Sequence, residues 1–202
     1  MFSGIVQAAC PVVHRESLPG LLRLTIDLGE LVTGLRHGAS VSVAGVCLTV
    51  VSQDAGHVTF EIMQETLEKT TLGELRTSDA INIERSVRIG DEIGGHRVSG
   101  HVTGVAVIRN IDQSQNQHTL TIGVDPAWIE AIIPKGFIAL DGCSLTVIEV
   151  GTDWFTVSLI PETLRMTTFG GKKEGDRMNL ELDPETQAIV ATVKRYLAIN
   201  NL

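Results

Sequence analysis

The 202-residue chain is poor in basic residues: 16 Lys and Arg stand against 24 Asp and Glu, for a net charge of −8. A sequence-wide basic surface able to follow a phosphate backbone or an anionic bilayer is excluded, so neither nucleic acid nor a membrane is an expected partner. No apolar run approaches the ~18–20 residues needed to cross a bilayer. The opening Met1-Phe2-Ser3-Gly4-Ile5-Val6 has no basic region and is soon interrupted by Gln7 and Pro11, so it does not read as a secretion signal. The three cysteines, Cys10, Cys47 and Cys143, are odd in number and lack zinc-ligand spacing, which fits a reducing cytoplasm. The histidines are scattered without ligand spacing either, and no metal is expected. Walker A, strand-bounded G-x-G-x-x-G and G-x-S-x-G sequences are absent. Gly170-Gly171-Lys172-Lys173 reads as a solvated turn rather than a phosphate loop.

What the chain does have is glycine (20 residues), many Val, Ile and Thr, and an internal repeat. Residues 38–86 align without a gap on residues 135–183. Gly45, Leu48, Thr49 and Val50 fall on Gly142, Leu145, Thr146 and Val147; Glu65-Thr66-Leu67 falls on Glu162-Thr163-Leu164; Asp79, Asn82 and Glu84 fall on Asp176, Asn179 and Glu181. The opening Ser3-Gly4-Ile5-Val6 matches Ser99-Gly100-His101-Val102 one register earlier. A unit this long is too large for a solenoid repeat and suits a small domain.

The first copy reads as six short strands, at Ile5–Ala9, Leu22–Asp27, Val41–Val43, Cys47–Ser52, His57–Met63 and Ala80–Arg85, with one helical turn near Glu65–Lys69. Closing the strands on themselves removes exposed edges, so a barrel per copy is expected. The fold class is all-β: two similar six-stranded Greek-key barrels from an internal duplication, plus a C-terminal α-helix. The expected boundaries are 1–90, 91–183 and 184–202, with a linker near 87–95 where Gly90, Gly94 and Gly95 cluster. Asp183-Pro184 is an N-cap followed by Pro at the first helical position, and Ile189, Val190, Val193, Tyr196 and Leu197 form an apolar stripe that needs a surface to cover it.

Differences between the copies mark the candidate chemistry. Cys47 meets Ser144, His101 takes the slot held by Ile5, and Phe137 takes that of Ser40. Taken alone, Cys47 reads as a buried thiol, His101 as a structural histidine, Ser40 as a strand-entry residue and Asp183 as a helix cap; the Ile-to-His change between duplicated units raises the functional reading of His101.

The start MFSGIVQ, the paired VCLTV and CSLTV strands, the paired QETL and IPETL segments, DEIGGHRVSGHV, KGFIALDG and the closing ELDPETQAIV together resemble the riboflavin synthases, the trimeric duplicated-barrel family of bacteria and fungi. The resemblance covers essentially the whole chain. It departs at Ala44, where the family commonly carries Asn before the Gly of its first G-x-C-L-T-V strand; the second copy has Asp141 there.

The resemblance implies a cytoplasmic homotrimer that transfers a four-carbon unit between two molecules of 6,7-dimethyl-8-ribityllumazine, giving riboflavin and 5-amino-6-(ribitylamino)uracil without any cofactor. It also implies that the first barrel of one subunit faces the second barrel of its neighbour, with two substrates per site. The family's first pocket maps onto Gly4, Ile5, Val6, Cys47, Leu48, Thr49, the run Glu61, Ile62, Met63, Gln64, Glu65 and Thr66, and Gly100, His101 and Val102. The second maps onto Lys135, Ser144, Leu145, Thr146 and the run Ser158, Leu159, Ile160, Pro161, Glu162 and Thr163. Residues implicated in turnover map onto Phe2, Ser40, Cys47, His101 and Asp183, with Phe2 expected to pack beside the bound ring. The rival reading is a non-catalytic lumazine- or flavin-binding protein of the optical antenna type.

Overall fold

A computed structural model describes residues 1–114 and 118–200. Its first six strands are β1 (Ala8–Leu18), β2 (Leu21–Asp27), β3 (Ser40–Val43), β4 (Val46–Asp54), β5 (His57–Met63) and β6 (Ala80–Arg85), with the short helix α1 (Gln64–Lys69) between the last two. The next six are β7 (Gly104–Asp112), β8 (His118–Gly123), β9 (Phe137–Leu140), β10 (Cys143–Val150), β11 (Trp154–Leu159) and β12 (Arg177–Leu182), with α2 (Pro161–Met166) in the place of α1. The strands close into a barrel in the order β1-β2-β5-β4-β3-β6, and β7 to β12 repeat that order in a second closed barrel. Every pairing is antiparallel, and bulges bend β1, β4, β7 and β10. Such bulges supply the coiling that a small barrel needs.

Alternation along the strands builds the two cores. In β5, Val58, Phe60 and Ile62 point inward while His57, Glu61 and Met63 stay outside. They meet Leu22, Leu24 and Ile26 of β2 and Val41 and Val43 of β3; Phe155, Val157 and Leu159 do the same in the second barrel. Closure leaves no lateral edge within either barrel for another chain to pair with.

One expected strand is wrong in place. The sequence suggested Ile5–Ala9, but β1 begins at Ala8 and runs on to Leu18. Gly4 to Val6 leave their own barrel instead: the carbonyl of Gly4 accepts from the amide of Ser144, 2.8 Å away on β10. Gly100, the matching glycine, crosses the other way and accepts from the amide of Cys47 on β4 at 2.9 Å. The two copies thus exchange their leading segments.

The barrels meet at two hairpin corners. Ala44-Gly45 and Asp141-Gly142 both have positive φ, at 45° and 80° and at 43° and 80°. That is the two-residue turn whose twist suits a hairpin. The corners touch, because a Cβ on Gly45 would stand 2.7 Å from the amide nitrogen of Gly142, and one on Gly142 2.8 Å from that of Gly45. Two buried asparagines lock the contact reciprocally. Asn82 donates to the carbonyl of Asp141 (3.0 Å) and accepts from the amide of Thr168, while Asn179 donates to the carbonyl of Ala44 (2.9 Å) and accepts from the amide of Thr71. Each bridges the barrels with both ends of its amide, so truncating either strands buried partners at ~1–3 kcal/mol apiece.

The departure at Ala44 has its counterpart here. Asp141 accepts from the amide of Asn179 at 2.8 Å and pairs with Lys172 at 3.1 Å. In the first copy those two positions hold Ala44 and Leu75. A buried ion pair in one barrel is replaced by an apolar pair in the other.

After Asp183 the chain forms α3 (Pro184–Asn200); residues 201 and 202 of the expected 184–202 segment lie outside the described residues. Asp183 caps it, its Oδ2 accepting from the amide (2.8 Å) and hydroxyl (2.6 Å) of Thr186. Ile189, Val193, Tyr196 and Leu197 are exposed, while Val190 is half-buried.

The corner contact makes a direct prediction. Gly142→Ala adds a backbone clash to an unfavourable φ and is expected to cost about 2–4 kcal/mol. Gly20→Ala, at φ 78° but with open space around it, carries only the φ cost of about 1 kcal/mol. Thermal unfolding of the two variants side by side reads the difference; equal melting temperatures would mean that the corners do not bear on each other.

Candidate active site

The exchanged segments are held by two buried carboxylates. Glu84 on β6 accepts from the amide (2.7 Å) and hydroxyl (2.7 Å) of Ser3 and from the amide of Gly4 (3.0 Å). Glu181 on β12 does the same for Ser99 (2.7 and 2.6 Å) and Gly100 (2.9 Å). Each Ser-Gly corner therefore binds its own barrel through a carboxylate and the other barrel through the glycine carbonyl. Burial pushes the Glu84 carboxyl above its usual range, and the Ser3 and Gly4 donors oppose that. The glycines are required by contact as well. A Cβ on Gly4 would stand 2.5 Å from the Cβ of Ser144, and one on Gly100 2.5 Å from that of Cys47.

Beside the first crossing lies a cavity of about 320 Å³, lined by Gly4, Ile5, Val6, Cys143, Ser144, Ile160, Glu162, Thr163, Met166 and Thr167. It is mostly apolar, with a few polar groups at its wall, as sites for small ring systems generally are. This corrects the assignment of Gly4, Ile5 and Val6 to the first pocket, because the exchange puts them in the wall of the second barrel. Gly100, His101 and Val102 stand against Cys47 of the first barrel, where the expected grouping has them. The matching face there carries Cys47, Met63, Glu65 and Thr66, at positions equivalent to Ser144, Ile160, Glu162 and Thr163.

The residues implicated in turnover are only partly brought together. Cys47 is half-buried at the first crossing, its amide bonded to the carbonyl of Gly100; His101, the following residue, is exposed. Ser40 opens β3 and pairs with Thr49, on the strand that carries Cys47. Phe2 is 1% exposed, packed with Val98, Ala139 and Cys47 in the seam between the barrels, where it pairs with Val98 through its backbone. It packs against Cys47 from within this seam. Asp183 stands apart from this group, at the second barrel beside His96.

Of the remaining expected residues, Leu48 and Leu145 point into the cores while Thr49 and Thr146 are exposed. Glu61 is exposed and paired with Arg23, and Ile62 and Leu159 are core residues. Gln64, Pro161 and Ser158 are exposed beside the short helices. Lys135 is exposed at φ 67°, the place of Gly38 in the first copy. A lysine costs ~1–2 kcal/mol there that glycine does not, a strain of the kind that collects at functional positions.

The three thiols differ sharply. Burial pushes Cys10 up to about 11 and Cys143 up to about 12, with nearby carboxylates adding to both. Neither forms a thiolate near neutral pH, which removes both from nucleophilic work.

His96 escaped the sequence reading, standing just past the end of the expected linker. It is 6% exposed, and its Nδ1 lies 2.6 Å from the Oγ of Ser144. The available signal was the Gly94-Gly95 pair before it, which permits a close crossing as readily as a flexible link.

Comparison with known proteins follows the same plan. The lumazine binding domain matches this chain twice, over residues 3–86 and 99–183. The chain is 46% identical over 200 residues to the riboflavin synthase of Escherichia coli (strain K12), covering 98% of this chain and 94% of that one. The chain belongs to the riboflavin synthase family. The riboflavin synthase of Chlamydia pneumoniae is 46% identical over 199 residues, covering 98% of both chains, and that of Mycobacterium bovis 43% over 188 residues, covering 91% and 93%. Among solved structures, LumP complexed with riboflavin superimposes with a TM-score of 0.83 at 28% identity, over 91% of this chain and all of that one. The two barrels described above are thus the two lumazine-binding domains of the family.

The buried His96 gives stability a defined pH dependence. Burial lowers its pKa below 6.5, with Asp183 pulling the other way. The folded state binds that proton more weakly than the unfolded one, so the contribution is complete above about pH 6.5 and is lost as pH falls below it. His96→Phe should flatten the decline in melting temperature below pH 6.5 relative to wild type; parallel profiles would mean the group titrates normally.

Proposed function

We propose that this chain is a riboflavin synthase that dismutates two molecules of 6,7-dimethyl-8-ribityllumazine. The observation that carries the reading is the pair of lumazine-binding barrels in one chain, each completed by the other's leading segment and differing where the chemistry needs it, at Cys47 against Ser144 and His101 against Ile5. Two similar pockets accept two identical substrates, and the differences make one a donor and the other an acceptor. Family membership over nearly the whole chain supports the same conclusion.

The reaction needs nothing beyond its substrates. Four carbons leave one lumazine and enter the other, and every atom of the two substrates reappears in riboflavin and the ribitylaminopyrimidine. Holding the rings face to face removes the entropy cost of a bimolecular step, worth up to ~7–11 kcal/mol. The 7-methyl protons of a lumazine are acidic because the ring delocalises the carbanion, so a modest base suffices; the exposed His101 imidazole, one residue past the crossing at Cys47, takes that role and returns the proton later. Cys47 and Ser40, on paired strands, are the groups placed to add to the donor's electrophilic ring carbon or to hold a water there. Thr and Glu side chains of the segments at Glu65-Thr66 and Glu162-Thr163 hold the ribityl hydroxyls. Lys135 lies at the second-barrel end of the set.

The assembled site belongs to a homotrimer in this reading, in the cytoplasm. The exposed apolar stripe of α3, with Ile189 65% and Tyr196 62% exposed, is the surface that subunit contact covers. None of the described helices is long and apolar enough to cross a membrane.

Incubation with dimethylribityllumazine alone, followed by riboflavin absorbance, tests the activity. Riboflavin should appear in half-molar yield; a protein that binds the lumazine and leaves it unchanged would be an antenna-type binder. Cys47→Ser and His101→Gln should each lower turnover about tenfold or more while retaining lumazine binding, and wild-type rates in both would remove them from the mechanism. Truncation after Asp183 should give monomers or dimers of low activity; a truncated protein still trimeric by light scattering would show that the barrels alone hold the assembly.

A further inference from the structure

His96 has no part in the scheme above, yet it is the one buried histidine among the described residues. The local chain explains how it comes to be enclosed. Gly94-Gly95 passes directly over Ser144: a Cβ on Gly95 would stand 2.7 Å from the serine Cβ and 2.9 Å from its Oγ, and would strike the carbonyl oxygen of Ser3. Only glycine allows this approach. The next residue therefore arrives with its ring against the serine, Nδ1 at 2.6 Å from Oγ.

Two further observations set the ring's state. It stacks on Phe137, centroids 5.0 Å apart and planes 11° from parallel, which fixes its tilt. Nε2 is buried and has no partner among the described residues. Burial depresses the imidazole's basicity more than Asp183 restores it, so near pH 7 the ring is neutral and carries one proton. Either tautomer decides which role the Ser144 hydroxyl keeps for a ligand. With Nδ1 bare, the serine donates to the histidine and its oxygen accepts from a ligand N–H. With Nδ1 protonated, the serine hydroxyl donates to a ligand carbonyl or ring nitrogen.

The first barrel is built differently at these places: Ser144 is matched by Cys47 and Phe137 by Ser40. Ser144 lines the second-barrel cavity. We propose that His96 is a positioning residue of that cavity: its Nδ1 fixes the Ser144 hydroxyl so that the wall offers one preoriented hydrogen bond to the polar edge of a bound pteridine-type ring. The proposal rests on the lumazine-binding reading and deepens it. A hydroxyl already held loses no rotational freedom when a ligand arrives, whereas the Cys47 thiol, a weak hydrogen-bonding group, offers the first pocket no equivalent. The two pockets then differ in stiffness and affinity as well as in reactive groups.

The test uses the full-length protein and riboflavin as probe, titrated by quenching of flavin fluorescence, with a thermal melt for each variant. His96→Phe keeps the stacked ring and removes Nδ1. It should weaken one class of riboflavin site about tenfold and leave the other unchanged. His96→Asn, which retains a polar atom at the δ position, should stay within about threefold of wild type; His96→Gln, whose amide reaches only the ε position, should behave like the Phe variant. In a Ser144→Ala background neither His96→Phe nor His96→Gln should cause any further loss. Unchanged affinity in both loss variants would overturn the proposal, and so would an equal loss with Ser144 already removed, or weakening of both site classes together. If His96→Phe fails to fold, the Asn and Gln pair carries the same comparison. Because riboflavin is only bound, wild-type protein that produces no riboflavin from lumazine would overturn the enzymatic reading and still leave this measurement decisive.

Discussion

Two backbone hydrogen bonds, from the Ser144 amide to the Gly4 carbonyl and from the Cys47 amide to the Gly100 carbonyl, determine how the rest of this molecule is arranged. They occur where a strand's outward amide would otherwise be unmet, and each joins a chain segment to the barrel that is not its own. A buried amide left unpaired costs about as much as a lost hydrogen bond, so the crossings stand or fall with the carboxylates that shape them. Glu84 and Glu181 each collect three donors from a Ser-Gly corner. Such charge-assisted bonds are the stronger kind. Cavity walls, the seating of Cys47 and the burial of Phe2 all follow from that geometry.

The barrel contact adds a second level of reciprocity. Asn82 and Asn179 each serve as donor and acceptor across the interface, and the touching turns leave no room for a side chain at Gly45 or Gly142. Around this fixed contact the two copies differ in charge. Asp141 and Lys172 form an ion pair where Ala44 and Leu75 offer none. Buried ion pairs contribute little net stability but penalise the loss of one partner heavily, which accounts for the joint replacement of both members.

Much of this could be read from the amino-acid order, and the remainder had a physical reason to be hidden. The duplication was plain because Asn82, Glu84 and the G-x-[CS]-L-T-V strands recur with their spacing intact. β5 was legible residue by residue, since one barrel wall faces the core and the other water. The cap at Asp183 and the exposed stripe of α3 followed from local chemistry alone. The leading segments were misplaced because Ile5–Ala9 has strand-like composition, while its hydrogen-bond partner lies far along the chain and leaves no periodic trace. The seam in which Phe2 packs was hidden for the same reason, since its partners Val98 and Ala139 lie far along the chain. His96 was missed because glycines before a histidine look like a linker when their close neighbour, Ser144, is known only in three dimensions.

The exchange also constrains the order in which the protein can be completed during synthesis. Gly4 is synthesised some 140 residues before Ser144, on the strand that receives it. The first barrel can close its own six strands early, but the chain start must stay undocked until β10 exists. Bringing such distant segments together is slow relative to local hairpin formation. Docking of this segment cannot precede β10, and it finishes the wall of the second-barrel cavity. That cavity is complete only when segments from both halves of the chain are present.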